Sequence, residues 1–374
     1  MARPTPRLRP LRHLRDGLRW AGTAVLLAAI GSAFVATWPN LGAVRSHLDT
    51  ALLHDAAARR ALTKELVTTP FTEALARWQR QADWLLLRDL GPEVQRGEDN
   101  WLFLDEELQL HRERAAHATA RAQAVSAIAR TLADRHIALL VVVVPDKSRI
   151  ESAHLGTLRR PPQLDARVRD WTATLGAASV ATLDLSAVLA GASPSPFLHT
   201  DTHWNEHGSW LAAHAVAQRL QAMHALPGDP VPSVVVSKQA REVHGDLLHL
   251  AGIDGLPASL QPAPDTDTQS VVETRNESTD LFGAAAVPST VLIGTSFSRR
   301  SNFVPFLQLA SRALVADFAM DGGDFSGAAR RYFAGEDFVK TPPRTIVWEV
   351  PERAIEAPIG EAEAQWLRQP LPPR

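Results

Sequence analysis

The sequence predicts an α/β fold in which helices cover both faces of a parallel sheet. After residue 96, apolar runs of strand length alternate with longer stretches of helical periodicity, which is the order of elements that builds such a sheet. Residues 137–144 read IALLVVVV, the continuous apolar pattern of a strand buried on both faces. The 374 residues suffice for one large domain with additional segments. We therefore expect one large α/β domain behind a separate N-terminal region.

The N-terminal region predicts a membrane anchor. Residues 20–38 are uncharged and apolar, with a tryptophan at each end, and as a helix they span a hydrocarbon core of roughly 30 Å. Residues 1–19 carry six arginines and one aspartate, a positive flank that stays in the cytoplasm. We expect a cytoplasmic basic tail at 1–19, a single-pass inner-membrane signal anchor at 20–38 and a periplasmic body.

Two other interpretations of residues 20–38 remain open. Gly31, Ser32 and Ala33 are small enough to form a signal-peptide cleavage site, although the apolar run continues beyond them. A buried helix of a soluble domain would leave the preceding arginine cluster unexplained. The anchor accounts for both the apolar length and the charge asymmetry.

The body is predicted to contain three regions. Residues 39–95 have apolar side chains at helical spacing and predict a helical stalk or linker, residues 96–355 form the α/β domain, and residues 356–374 form a C-terminal tail. Proline, threonine and aspartate at 257–280 predict a long surface loop. Within the domain we expect helices at 114–135, 164–175 and 206–221, and strands at 137–144, 180–185, 287–294, 313–319 and 345–350.

Composition excludes several functional classes. The chain has no cysteine, which excludes a disulfide scaffold, a cysteine-ligated metal centre and a thiol nucleophile. The net charge is −2 although residues 1–19 are basic, so the remainder is acidic and does not favour nucleic-acid binding. No nucleotide-binding motif is evident, and we expect no cofactor.

A candidate nucleophile follows the strand predicted at 287–294. The strand ends in Gly294, and Thr295 and then Ser296 follow, before a predicted helix. Ligands of α/β sheets bind beyond the carboxyl ends of the strands, and free N–H groups at a helix start can stabilise an oxyanion. Ser296 is therefore either a nucleophile or an ordinary helix-capping serine.

A second cluster, HTDTHWNEHG at 199–208, offers a base for that serine. A serine nucleophile needs a base, and the base needs an acceptor that fixes its tautomer; Asp201 and His203 supply this pair. Metal binding by His199, His203 and His207 would require a continuous helix through Asp201, which helix propensity disfavours. We expect no metal, and a purely structural loop is the third interpretation.

Two further strand ends are polar or rich in glycine. Gly322 and Gly323 follow the strand predicted at 313–319, and EVPER follows at 349–353. Glycine lets the backbone approach a ligand closely. Because carboxyl ends of parallel strands share one edge of a sheet, we expect these residues to converge with Ser296.

Three motifs, in this order, resemble the SGNH-hydrolase-like domain of the alginate O-acetyltransferase family, AlgJ and AlgX. They are TDTHWNEHG at 200–208, VLIGTSFSRRSNF at 291–303 and TPPRTIVWEVPER at 341–353. Shorter matches are DNWLF at 99–103, VPDK at 144–147 and GDL at 245–247. The resemblance covers about residues 96–355. AlgX-type proteins continue into a carbohydrate-binding module, so the chain is more similar to AlgJ.

The resemblance implies roles for individual residues. Ser296 matches the family's nucleophile, His203 its base and Asp201 the partner of that base. Gly322 and Gly323 fall where SGNH proteins carry their second oxyanion donor.

One oxyanion donor of ordinary SGNH proteins has no match here. Residues 349–352 read EVPE where those proteins carry a Gly-x-Asn-Asp block. Asn302, six residues after Ser296, is a candidate substitute. Trp204, which follows the candidate base, is a candidate substrate-binding residue.

The resemblance implies a periplasmic O-acetyltransferase that modifies an exported polysaccharide, alginate or a similar glycan. A multi-pass membrane O-acyltransferase would be the partner that supplies the acetyl group. A carbohydrate acetyl-esterase with the same three residues, or a non-catalytic component of a polysaccharide export and acetylation complex, are the alternatives that the sequence leaves open.

Overall fold

The computed structural model describes residues 70–227, 230–274 and 288–371. The chain divides into two compact units, Met1–Asp89 and Leu90–Arg374. In the first unit the described residues form helix α1 (Pro70–Leu87), which lies in the predicted stalk. The predicted basic tail and membrane anchor lie outside the described residues. Within the described ranges, no helix is both long and apolar enough to cross a membrane.

The second unit is built around a five-stranded parallel sheet. The strands of this unit are β1 (Val94–Arg96), β2 (Leu102–Leu104), β3 (Ala138–Val144), β4 (Ala181–Asp184), β5 (Ser233–Val243), β6 (Asp265–Thr274), β7 (Thr290–Ile293), β8 (Val315–Asp317) and β9 (Thr345–Pro351). The central sheet has the order β4-β3-β9-β7-β8, and all its neighbours pair in parallel. The predicted α/β fold with a parallel sheet is confirmed.

Helices connect these strands and cover the sheet. They are α2 (Arg114–Asp134), α3 (Lys147–Ile150), α4 (Arg167–Ala177), α5 (Ser186–Leu189), α6 (Glu206–Ala222), α7 (Asp246–Leu250), α8 (Ser296–Arg299), α9 (Phe303–Ser311), α10 (Gly327–Ala334), α11 (Glu336–Lys340) and α12 (Glu361–Arg368). The longest predicted helices, at 114–135 and 206–221, coincide with α2 and α6 to within one residue. Asn205 caps α6, because its side chain accepts the N–H of Gly208.

The sheet separates two hydrophobic cores. Side chains of β3 alternate between them, since the odd-numbered residues from 139 to 143 enter one core and the even-numbered residues from 140 to 144 the other. Helices α2, α4 and α10 pack into the first core, and α6 and α9 pack into the second. This two-sided burial explains why β3 has a continuous apolar sequence.

An antiparallel ribbon of β5 and β6 corrects one prediction. The loop predicted at 257–280 contains strand β6, so that prediction was wrong for these residues. The inward-facing side chains Asp265, Asp267 and Ser270 are polar although buried, and β6 therefore lacks the apolar alternation that marks a strand. These side chains instead bond the chain around residues 199–206.

The C-terminal region packs on the domain beyond the predicted boundary at residue 355. In α12, the carboxylate of Glu363 accepts two hydrogen bonds from Arg121, each 2.9 Å long. Trp366 packs edge-on against Trp348 of β9, with ring centroids 6.3 Å apart, and Leu371 is buried. The described part of the predicted tail at 356–374 is thus an integral part of the fold.

Candidate active site

Ser296 lies at the junction of a central strand and a helix. It is the first residue of α8, three residues after the end of β7, and Thr295 caps the helix by accepting the N–H of Phe297. Gly294 permits this tight turn, because a Cβ atom there would lie 2.6 Å from the carboxylate of Glu349. Ser296 is half-buried and lines a cavity at the carboxyl edge of the sheet.

Asp201, His203 and Ser296 form a continuous chain of hydrogen bonds. The distance from Asp201 Oδ1 to His203 Nδ1 is 2.7 Å, and the distance from His203 Nε2 to Ser296 Oγ is also 2.7 Å. A carboxylate at Nδ1 requires the ring proton on that nitrogen. The lone pair of Nε2 is then directed at the serine hydroxyl, which is the arrangement that a general base requires.

The carboxylate of Asp201 is ionised at neutral pH. Burial acts to raise its pKa, but the hydrogen bonds and the charge of His203 outweigh burial and lower the pKa to about 2. An N–H group from Asp246 also donates to Asp201 Oδ2 at 3.0 Å. Asp201 can therefore hold the His203 ring and stabilise its protonated form.

His199 belongs to a separate histidine–aspartate pair. Its Nδ1 lies 2.6 Å from Oδ1 of Asp265, whereas His203 faces Asp201. Helix α6 begins only at Glu206, so residues 199–205 do not place the histidines on one helical face. The geometry that the metal interpretation of His199, His203 and His207 needs is not formed.

Glu349 supports the turn that carries Ser296. Its Oε2 accepts the backbone N–H of Thr295 at 2.6 Å and the hydroxyl of Ser298 at 3.0 Å. Burial raises the pKa of Glu349, while the bonds from Thr295 and Ser298 act to lower it. Ser298 is buried against this carboxylate, which leaves Ser296 as the serine of this turn that lines the cavity.

Lys147 supports the loop that carries Asp201 and His203. Its buried Nζ donates to the backbone carbonyls of Leu102, His199 and Asp201 at 2.7–2.9 Å. Burial lowers the pKa of Lys147 to about 8, although nearby carboxylates act to raise it. All three of its N–H donors are thus used on backbone atoms.

Replacing Lys147 with methionine should lower the free energy of unfolding by about 3 kcal/mol or more, because three buried carbonyls lose their donor. Lys340→Met is the matched control, since Lys340 is exposed in an i,i+4 pair with Glu336, and we expect a loss of at most about 0.5 kcal/mol. Urea denaturation measures both. Equal effects of the two substitutions would show that Lys147 does not hold the loop.

The cavity that Ser296 lines has a volume of about 480 Å³. Gly322 and Gly323 line it together with Ser296, so the predicted convergence of these residues occurs. Arginines and acidic side chains line the same space, namely Arg121, Arg330, Arg353, Glu106, Asp324, Glu361 and Glu363. A polar, charged cavity of this size can admit a hydrophilic ligand beside the serine hydroxyl.

A family model described as the SGNH hydrolase-like domain of the acetyltransferase AlgX matches residues 94–352. The chain belongs to this family. It is 31% identical over 304 residues to the probable alginate O-acetylase AlgJ of Pseudomonas putida, and the match covers 77% of each chain.

Two solved structures of the AlgX-like family resemble this fold. The O-acetyltransferase domain of Pseudomonas putida AlgJ gives a TM-score of 0.66 at 29% identity, covering 75% of this chain and 98% of that domain. Pseudomonas aeruginosa AlgX gives a TM-score of 0.52 at 25% identity, covering 69% of this chain and 62% of that one. The predicted resemblance to AlgJ and AlgX and the SGNH-like fold are thereby confirmed.

Two predicted site residues of this AlgX-like chain have other contacts. The Asn302 amide donates both hydrogens, to the Glu206 carboxylate and to the Ser270 carbonyl, so it is not a free donor for an oxyanion. Trp204 is completely buried and stacks on Phe303 with a centroid distance of 5.2 Å. Asn302 thus bonds the β5–β6 ribbon, and Trp204 packs in the core. The predicted roles of Asn302 as an oxyanion donor and of Trp204 as a substrate-binding residue are corrected accordingly.

Sequence reasoning missed the supporting residues Lys147, Asp246, Asp265 and Glu349. Lys147, Asp246 and Glu349 lie in family-like motifs, but a motif does not indicate which atoms its side chains contact. No sequence pattern pointed to Asp265, because it lies in the segment predicted to be a surface loop. All four act across large sequence separations.

Proposed function

We propose that this chain is an O-acetyltransferase that moves an acetyl group through Ser296 to hydroxyl groups of an exported polysaccharide, alginate or a similar glycan. The observation that supports this most is the hydrogen-bonded sequence Asp201–His203–Ser296 beside a charged cavity. The AlgJ relative is named as a probable alginate O-acetylase, which agrees with the proposed chemistry.

The first half-reaction acetylates the enzyme. His203 Nε2 takes the proton of Ser296 Oγ as that oxygen attacks the carbonyl carbon of the acetyl donor. The tetrahedral intermediate collapses, the bond to the donor's leaving oxygen breaks, and His203 returns the proton to that oxygen. Asp201 stabilises the imidazolium while it exists.

The second half-reaction transfers the acetyl group. A glycan hydroxyl enters the cavity and gives its proton to His203 as its oxygen attacks the acetyl-serine ester. Collapse of the intermediate releases the acetylated glycan, and the proton on His203 returns to Ser296. Both steps use the same base, so the reaction is ping-pong with respect to donor and acceptor.

Two backbone amides are the proposed oxyanion donors. The amide of Ser296 opens α8 and has no partner within that helix. The Gly323 amide donates to the Met320 carbonyl at 3.3 Å, which makes the neighbouring Gly322 amide the better second donor. Gly322 has a φ of 64°, and glycine accommodates this left-handed backbone without strain.

The proposal places the body in the periplasm, behind a basic tail at 1–19 and an anchor at 20–38. A multi-pass membrane O-acyltransferase is the proposed donor of acetyl groups. The AlgX relatives are named as alginate biosynthesis proteins, which agrees with a role in making an exported polysaccharide. A C-terminal reporter that is active only in the periplasm should be active in the full chain. A second reporter, active only in the cytoplasm, is fused at the same position and should be inactive. An active cytoplasmic reporter together with an inactive periplasmic one would refute this topology.

Product analysis tests the proposed reaction. Purified protein is supplied with an activated acetyl ester, with and without a polyuronate or another glycan. The amounts of acetylated glycan and of free acetate are then measured. A transferase gives acetylated glycan in preference to acetate. If the same amount of acetate forms with and without the glycan, the protein is an esterase instead. If no product depends on Ser296, the protein is a non-catalytic component.

A further inference from the structure

A second carboxylate lies beside the candidate base. Asp246 Oδ2 is 3.4 Å from His203 Nδ1, the same ring nitrogen that faces Asp201 Oδ1 at 2.7 Å. The three groups lie within 4.8 Å of one another. Neither the sequence patterns nor the arrangement of a single Asp-His-Ser triad accounts for this second acid.

Asp246 is fixed in place by the loop that it contacts. Its Oδ1 accepts the backbone N–H of Thr202 at 2.7 Å and the hydroxyl of Thr202 at 2.9 Å. Its own N–H donates to Asp201 Oδ2 at 3.0 Å. Asp246 therefore forms hydrogen bonds with both Asp201 and Thr202, and its Oδ2 faces the imidazole ring.

The backbone before Asp246 is built for this approach. A Cβ atom on Gly245 would lie 1.9 Å from the Thr200 carbonyl oxygen, so only glycine allows the two segments to come this close. The Gly245 N–H donates to Thr200 Oγ1 at 3.2 Å, and the Leu247 N–H donates to the Thr200 carbonyl at 3.2 Å. These contacts join residues 200–203 to the start of α7.

Two carboxylates face the Nδ1 side of the His203 ring. Burial raises the pKa of Asp246 and the charge of Asp201 raises it further, whereas His203 and the bonds from Thr202 lower it. A positive ring between the two acids relieves their mutual repulsion. Lys147, the buried cation nearby, interacts with both carboxylates, but its N–H donors are directed at backbone carbonyls.

We propose that Asp246 is a second carboxylate partner of His203, a positioning residue that aligns the ring with Ser296 and shares with Asp201 the stabilisation of the imidazolium. This inference rests on the proposed function, since it assigns His203 the role of base. Asp246 is not among the residues that line the cavity, and it contacts His203, Asp201 and Thr202, so we expect it to act through the ring and its loop.

The test compares the pH dependence of Ser296 labelling by a sulfonyl fluoride in the full chain and in the Asp246→Asn variant. An opposite charge at this distance shifts a titration by about one pH unit or more. We expect the midpoint of the rate profile to fall by about one unit and the plateau rate to fall about tenfold. Asp246→Glu, which retains the charge, should keep the midpoint near that of the unmodified chain.

Asp254→Asn is the matched control. It removes one negative charge from an exposed pair with His249 close to α7, and we expect no change in midpoint or rate. Asp246→Ser is a second neutral variant that keeps an oxygen for the Thr202 N–H and should give the same midpoint shift as Asn. A reduced rate with an unchanged midpoint in both neutral variants would show a merely structural role and overturn the proposal.

A titration without turnover separates this inference from the proposed function. In the Ser296→Ala chain, nuclear magnetic resonance follows the His203 imidazole with and without Asp246→Asn. A lower midpoint in the double variant supports the second carboxylate even if the protein acetylates no glycan. An identical midpoint in the two chains overturns it, whatever the glycan assays show.

Discussion

Replacing Ser296 with alanine should abolish glycan acetylation and covalent labelling by a sulfonyl fluoride. The hydroxyl proposed to accept the acetyl group is removed, and loss of a serine nucleophile costs a factor of about 10⁴ or more in turnover. The free energy of unfolding should change little, because Ser296 is half-buried at a turn and loses one small group. Turnover, labelling and urea denaturation measure the three quantities.

Ser301→Ala is the matched control for the nucleophile. Ser301 lies five residues further along, and its hydroxyl donates to the Trp204 carbonyl at 2.8 Å instead of facing His203. We expect this variant to retain turnover and labelling. Full glycan acetylation by the Ser296→Ala chain, or an adduct that maps to Ser301, would contradict the proposed mechanism.

Replacing His203 with glutamine should reduce turnover by about 10⁴-fold, because Ser296 then lacks its proposed base and the transition state lacks the proposed imidazolium. Glutamine can still hydrogen bond in the buried site, so the fold should survive. The measurement is the rate of acetyl-ester consumption together with the circular dichroism spectrum.

His199→Gln provides an internal comparison four residues away. Both histidines present Nδ1 to an aspartate, but only His203 has Nε2 at 2.7 Å from a serine hydroxyl. The His199→Gln chain should keep most of its turnover. Comparable losses in the two variants would mean that the loop as a whole, and not the His203 base, determines activity.

The sequence predicts the central sheet well, for a physical reason. Strand β3 is buried on both faces, so each of its positions must be apolar and the run stands out without any alignment. Helix α6 is equally readable, because the Asn205 cap precedes a long stretch of good helix formers. The sheet edge and the local motifs made Ser296, His203 and Asp201 candidates, and the resemblance to the AlgJ and AlgX family assigned their roles.

Ribbon β5–β6 and the packing of the C-terminal region could not be predicted from the sequence. The buried side of β6 is polar because it bonds the loop around His199 and the start of α6, and hydrophobic periodicity cannot detect such a strand. Helix α12 is held by Arg121, which is 242 residues away from Glu363. Contacts of this kind depend on the tertiary fold and leave no local pattern.

The predictions for Asn302 and Trp204 were wrong for a related reason. Both lie near reactive residues in the sequence, yet Asn302 turns toward the Ser270 carbonyl and Trp204 enters the core between Phe297 and Phe303. Proximity along the chain does not fix which side of a turn a residue faces. The supporting contacts of Lys147 and Glu349 are equally invisible without the fold.

The acetyl-enzyme is the most direct test of this account. Purified protein is mixed briefly with an activated acetyl ester, quenched and digested, and the peptides are measured by mass spectrometry before and after addition of glycan. We expect one acetyl group on the peptide that contains Ser296, lost when glycan is added and recovered on the glycan. An acetyl group on another residue, or one on Ser296 that glycan does not remove, would contradict the proposed transfer.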